Sequence, residues 1–159
     1  MIMSGEEIIA APVDSVWAAL NDPKTLQACI PGCESVKQNS STDLEIRVVV
    51  KLGLIKVGFN GSVKLSNLKP PHSYRIYGKG EGGFAGMAEG AADVKLQAVP
   101  EGTKLSYKIE TQVGGKLAQL ASRFIHSTAQ QLASKFFARF GQVAIALELA
   151  KLDVAQNDS

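Results

Sequence analysis

The sequence predicts one α+β domain, a curved antiparallel sheet of about six to seven strands wrapped around a long C-terminal helix, with two short helices after the first strand. Three observations predict it. Between residues 44 and 113, apolar and polar side chains alternate with the period of two expected of half-buried strands. Residues 117–149 then return to three- and four-residue apolar spacing and contain no proline. Short connections between the strand-like runs favour antiparallel neighbours with one buried and one wet face. A helix of that length, about 50 Å at roughly 1.5 Å per residue, hides its apolar stripe by lying against a sheet.

The elements follow in order. Residues 6–10, EEIIA, read as the first strand. Pro12 suits the first turn of a helix and Asp14 its positive end, while Val13, Val16, Trp17 and Leu20 recur at helical spacing. Asn21-Asp22-Pro23 ends that helix, and KTLQACI offers a second, stopped by Pro31-Gly32. Leu44, Ile46, Val48, Val50 and Leu52 then alternate with polar neighbours, and after a turn at Gly53 the pattern resumes at Ile55, Val57, Phe59, Val63 and Leu65. Weaker runs occupy 74–82 and 84–99, with Val94, Leu96 and Ala98 in phase. Pro100-Glu101-Gly102 turns the chain into its cleanest strand, where Leu105, Tyr107, Ile109 and Val113 alternate with Lys104, Ser106, Lys108, Glu110 and Gln112.

The long helix carries Leu120, Ala121, Phe124, Ile125, Thr128 and Leu132 on one stripe. A second stripe, rotated round the axis, holds Phe136, Phe137, Phe140, Val143, Ala144 and Leu147. Residues 1–150 form the single domain, and 151–159 read as a polar, frayed tail.

Composition narrows the function classes. The 159 residues suffice for one sizeable core, and 45% hydrophobic with 20% charged residues is ordinary for a soluble domain. A net charge of +2 without a basic run gives no nucleic-acid footprint. The start, MIMSGEEII, has acid where a signal peptide needs base, and no apolar run reaches the length of a bilayer span. A cytoplasmic location is the expectation.

Cys29 and Cys33, the two cysteines, flank a Pro-Gly turn in ACIPGCE. Their spacing is not that of a CxxC redox pair, and the two histidines, His72 and His126, lie in unrelated contexts, so no zinc set assembles. The segment 78–90, GKGEGGFAGMAEG, holds six glycines but lacks the Lys-Ser/Thr and following helix of a phosphate loop. Its glycines either let strands bend or let a ligand approach the backbone. Glu81, Glu89 and Asp93 are the acids nearby, and a raised pKa in one would make it a general base; solvated edge carboxylates are the alternative. No nucleophile elbow or HExxH appears, so no catalytic residue is assigned.

With these pieces assembled, PVDSVWAALNDPKTL, ACIPGCESV and GGKLAQLASRFIHSTAQQLASKFF resemble the carbon monoxide dehydrogenase G-subunit (CoxG) family of the START-like, helix-grip (SRPBCC) superfamily, over about residues 3–145. VW…NDP is a superfamily-wide pattern, whereas CIPGCE together with GGKLAQLASRFI is specific to the subfamily. The resemblance implies an apolar cavity between sheet and helix, which the superfamily uses for lipids, sterols, polyketides and other hydrophobic molecules. It also implies an accessory role beside a molybdenum hydroxylase of the carbon monoxide dehydrogenase type, handling a quinone or lipid, with no covalent or metal cofactor.

Pattern and placement within that fold assign the lining to Trp17, Leu26, Ile30, Phe59, Phe84, Met87, Phe124, Thr128 and Leu132. The resemblance makes Cys29, Pro31, Gly32 and Cys33 a gate loop at the cavity mouth, with Ile30 facing inward. Many family members carry a long basic or apolar C-terminal extension, and this sequence ends at Ser159. Direct anchoring through such an extension is therefore not expected; the apolar face 136–152, with Lys135, Arg139 and Lys151 nearby, either packs under the sheet's far edge or in a homodimer, or meets a partner or a lipid surface peripherally at the inner face of the membrane. Two other functions stay in view. One is a small helix-grip enzyme of the cyclase or hydrolase kind, which needs a convergent acid/base pair. The other is an adaptor with a filled core that recruits a partner through its long helix.

Overall fold

A computed structural model describes the backbone of residues 1–121 and 125–157, with the side chains there except those of residues 52, 120, 121, 125 and 154–157. Strand β1 (Ile2–Ile9) leads into helices α1 (Val13–Leu20) and α2 (Pro23–Cys29). Then come β2 (Cys33–Gln38), β3 (Asp43–Leu52), β4 (Ile55–Lys69), β5 (Ser73–Glu81), a 3-10 turn at Gly83–Ala85, β6 (Met87–Val99) and β7 (Gly102–Gly114). Helices α3 (Lys116–Ala121) and α4 (Ile125–Asn157) close the chain. The strands form one seven-stranded antiparallel sheet in the order β1-β7-β6-β5-β4-β3-β2. It is curved and open, and α4 lies along it.

Local chemistry accounts for the short helices. Asp14 stands in the first turn of α1, and Val16, Ala19 and Leu20 fall on its buried face. The Asp22 carboxylate accepts the Lys24 amide at 3.0 Å and Pro23 opens α2, satisfying one orphan donor and removing another. Ile30, extended before Pro31, ends it.

Register explains the core. Leu44 pairs with Val63, Val48 with Phe59, Tyr74 with Val94 and Val94 with Tyr107, so one face collects the apolar positions. The main cluster joins Ile9, Val16, Leu20, Cys29, Tyr74, Leu96, Leu105, Phe140 and Ala144. Phe140 is fully buried and stacked on Phe136, with ring centroids 5.6 Å apart. A second cluster, Val57, Ala85 and Leu117 with Phe59, Val113 and Ala88, closes the end beside α3. The Thr103 hydroxyl, fully buried, donates to the Ala11 carbonyl at 2.7 Å and ties β7 to the start of α1. Ser15 donates to Glu148 at 2.6 Å and so pins α1 to the far part of α4.

Several expectations shift. The first strand begins at Ile2 rather than residue 6, because its outer half is paired with β7 from Ile2↔Glu110 onward. β2 has no apolar alternation and owes its strand to backbone pairing with β3. The helix expected over 117–149 is assigned as α3 and α4, and α4 runs on to Asn157, so residues 151–157 are helical rather than a frayed tail. That stretch contains neither glycine nor proline to stop it. On the second stripe Phe136, Phe137, Phe140, Val143 and Ala144 pack inward, while Leu147 is exposed, as are Leu149 and Leu152. Among the described residues no helix is long and apolar enough to cross a membrane.

Candidate functional site

The backbone of α4 comes closest to α2, α1 and β1, and space remains between the helix and the middle of the sheet. One lobe, of about 370 Å3, is bounded by Ala129, Leu132, Ala133, Phe136 and Phe137 of α4, by Met1 and Met3 at the β1 edge, and by Tyr107, Ile109 and Thr111 of β7. The other, of about 260 Å3, lies against Leu44, Ile46, Val63 and Leu65, with Asn21, Gln38 and Ser41 as its polar groups. Leu20, Leu26, Ile30, Tyr74, Ile76 and Phe136 border both, so the lobes adjoin across them. Pockets that hold small apolar ligands measure about 300–1,000 Å3, so the larger lobe lies within that range. Among the described lining residues no side chain is charged, and the N-terminal ammonium of Met1, at the β1 edge, donates to the Thr111 carbonyl at 2.9 Å.

Small residues help to hollow the sheet's inner face. Ile46, Gly61, Gly80, Ala88 and Val113 form one cross-sheet row, and Val63, Gly78, Gly90 and Thr111 the next. A Cβ built on Gly78 meets nothing nearer than the Ser62 carbonyl oxygen at 3.9 Å, so room for a side chain exists there and is left unused.

The sequence-predicted lining residues separate. Leu26, Ile30 and Leu132 line the larger lobe, as does Pro31 of the loop. Trp17 instead packs in the core, edge-on to Tyr74 with centroids 5.0 Å apart. Phe59 faces inward but belongs to the second cluster, which plugs the sheet's end. Met87 is one residue out of phase with Ala88, Ala92 and Val94 and so falls on the outer face with Glu89 and Asp93. Phe84 sits in the 3-10 turn with 76% of its surface exposed, so it is a rim residue and not lining. Thr128 is half-buried and borders neither lobe, and Phe124 lies outside the described residues.

The gate loop is a fixed piece of wall. The Val49 amide donates to the Gly32 carbonyl at 2.9 Å, and the Cys33 amide to that of Ile30 at 3.2 Å. Gly32 has φ +73, and any Cβ there would collide with the Val49 carbonyl, so glycine is what lets the loop lie against β3. Cys29 is completely buried beneath it, and burial pushes its thiol pKa up. Cys33, half-buried, donates weakly to the Ser35 carbonyl at 3.5 Å, and burial again raises its pKa. The two thiols are free.

The acids near the glycines do not converge on the lumen. Asp93 pairs with Arg75 at 2.8 Å, and Glu89 accepts the Tyr77 hydroxyl at 2.8 Å, both on the outer face. Glu81 borders a surface groove with Lys79 and Arg47. His126 is exposed. The described lining therefore holds no carboxylate or histidine side chain, and its surface is largely apolar.

Tyr74, Ile76, Tyr107 and Ile109 were not assigned to the lining from sequence, yet each lines the larger lobe. The signal was the alternation itself, because these residues stand in phase with Val94 and Leu105 across the register. Burial holds the Tyr74 phenol well above its usual pKa.

The fold is shared widely. A conserved protein from Geobacillus kaustophilus is 26% identical and superposes with a TM-score of 0.85 over 92% of this chain and 96% of its own. A protein from Thermus thermophilus, 15% identical, gives 0.68 over 92% and 99%. Ara h 8.0201, also 15% identical, gives 0.67 over 92% and 98%. No curated protein matches the sequence significantly. A family model for the G subunit of carbon monoxide dehydrogenase, in contrast, matches residues 5–145, which contain both the IPGC wall and most of the helix over the lumen. The chain belongs to the carbon monoxide dehydrogenase G-subunit (CoxG) family.

Proposed function

We propose that this protein is a non-catalytic carrier of a hydrophobic molecule, a quinone or a lipid, and serves a molybdenum hydroxylase of the carbon monoxide dehydrogenase type. The observation that carries the reading is the two-lobed lumen between α4 and the sheet, lined by no charged side chain among the described residues. A filled core would have favoured an adaptor, and a carboxylate or histidine on the lining an enzyme. The family name supplies the partner's class.

The carrier meets its ligand's membrane at the end of the sheet. Leu54, at the tip between β3 and β4, is wholly exposed, and Ile55 and Phe84 stand out beside it at 38% and 76% exposure. Lys51 and Lys56 oppose each other across the hairpin, and Lys116 begins α3 next to the 3-10 turn. The ion pairs among the described residues are Arg47–Glu34 and Arg75–Asp93, which leaves these three lysines their charge. Apolar tips flanked by lysine suit an anionic lipid surface, each lysine adding about 1 kcal/mol near it.

Native mass spectrometry of protein prepared without detergent, followed by titration with a short-chain quinone, tests the carrier. One ligand per chain and a rise in melting temperature by mass action are expected. An empty chain indifferent to quinones and phospholipids alike would end the reading. Sedimentation with vesicles of phosphatidylglycerol and phosphatidylcholine tests the tip. Binding should need the anionic lipid and be lost in Leu54→Ser/Phe84→Ser, and equal binding by that variant would refute the contact.

A further inference from the structure

Tyr74 is the one aromatic hydroxyl that borders both lobes. It stands on the inner face of β5, opposite Val94 of β6, and only 5% of its surface is accessible. Its ring is fixed edge-on by Trp17. No described residue gives its hydroxyl a hydrogen bond, yet no fully inaccessible polar side-chain atom lacks a partner. The hydroxyl therefore keeps contact with open space, and of the spaces that Tyr74 borders, the two lobes lie on the inner face with its partner Val94, whereas the third is a surface groove with Asn67, Lys69 and Arg75.

We infer that the Tyr74 hydroxyl is a hydrogen-bond donor to a carbonyl oxygen of the bound ligand, held where the two lobes meet. An unmet phenol in an apolar wall is costly, and a ligand acceptor relieves it. Charge narrows the acceptor. A carboxylate there would face no lysine, arginine or histidine among the described lining residues, and the Met1 ammonium at the β1 edge is already bonded to the Thr111 carbonyl, so the acceptor is neutral. The phenol stays protonated across the physiological range, since burial opposes its ionisation, and it is free to donate. Because Tyr74 borders both lobes, apolar mass extends to either side of the carbonyl. The ligand class is a neutral ketone, quinone or ester with its polar atom within an otherwise apolar body, rather than a free fatty acid entering head first. This inference rests on the carrier reading and deepens it.

Calorimetric titration of the full chain with 2-methyl-1,4-naphthoquinone and with 2-methylnaphthalene, its carbonyl-free analogue, separates the two. Wild-type protein should bind the quinone more tightly. Tyr74→Phe, which keeps the ring against Trp17, should weaken quinone binding about 2- to 12-fold and leave the hydrocarbon unchanged. The infrared carbonyl stretch of bound, carbon-13-labelled quinone should lie lower in wild type than in the variant. Unchanged quinone affinity in Tyr74→Phe, or an equal loss for both probes, would overturn the assignment and leave the carrier standing. Failure of wild-type protein to bind either probe would remove the carrier reading itself.

Discussion

Gly78 offers the sharpest test of the lumen, because one position separates fold from ligand. It lies within β5, outside the positive-φ glycines, with Val63 and Gly90 as its cross-strand neighbours. An added Cβ would stand 3.9 Å from the Ser62 carbonyl oxygen and 4.0 Å from a Val63 methyl, ordinary contact distances. Gly78→Ala should therefore stabilise the protein by the usual conformational margin of about 0.5–1 kcal/mol, raising the melting temperature by roughly 1–4 °C. Gly78→Leu keeps the same Cβ and sends three further carbons into the space that a ligand needs. At about 0.8 kcal/mol for each displaced methylene, quinone affinity should fall by about 2.4 kcal/mol, or roughly 50-fold. Circular-dichroism melts and calorimetric titration read the two effects separately. Loss of more than about 1 kcal/mol of stability in Gly78→Ala would show that the inner face is closed there. Undiminished binding by a folded Gly78→Leu would show that the ligand sits elsewhere.

Other expectations follow from the core and the thiols. Phe140→Ala removes a fully buried ring stacked on Phe136 and should cost about 3–5 kcal/mol by urea denaturation. Above pH 10, the ordinary pKa of tyrosine, stability should fall as pH rises, because folded Tyr74 retains a proton that the unfolded chain releases. Below that pH its contribution is fully present, and Tyr74→Phe should flatten the decline, measured as the urea midpoint at successive pH values. A thiol reagent at pH 8 should modify half-buried Cys33 first and slowly, and reach Cys29 only on unfolding.

Much of the fold was legible because it depends on periods that local sequence displays. The alternation at Leu44 to Val50 and Leu105 to Val113 matches the inner face of β3 and β7, and the apolar spacing of Val16 and Leu20 matches the buried side of α1. β2 was illegible, since CESVKQ carries no alternation and its strand is made by hydrogen bonds to β3. The candidate site was read less well. Leu26, Ile30 and Leu132 border the larger lobe while Phe84 and Met87 do not, because being apolar among glycines says nothing of which face a residue meets.

The α+β class, the antiparallel arrangement of period-two strands and the Pro-Gly turn are written locally, because each follows from steric and burial rules acting over a few residues. Three-dimensional packing settles what no local rule reaches: that space remains beneath α4, that Gly78 leaves room on the sheet's inner face, and that Tyr74 borders the lobes with a hydroxyl that no described residue bonds. Such a lumen is set by how far a helix anchored on α1, α2 and β1 stands off strands distant from it in sequence. No local pattern encodes that distance.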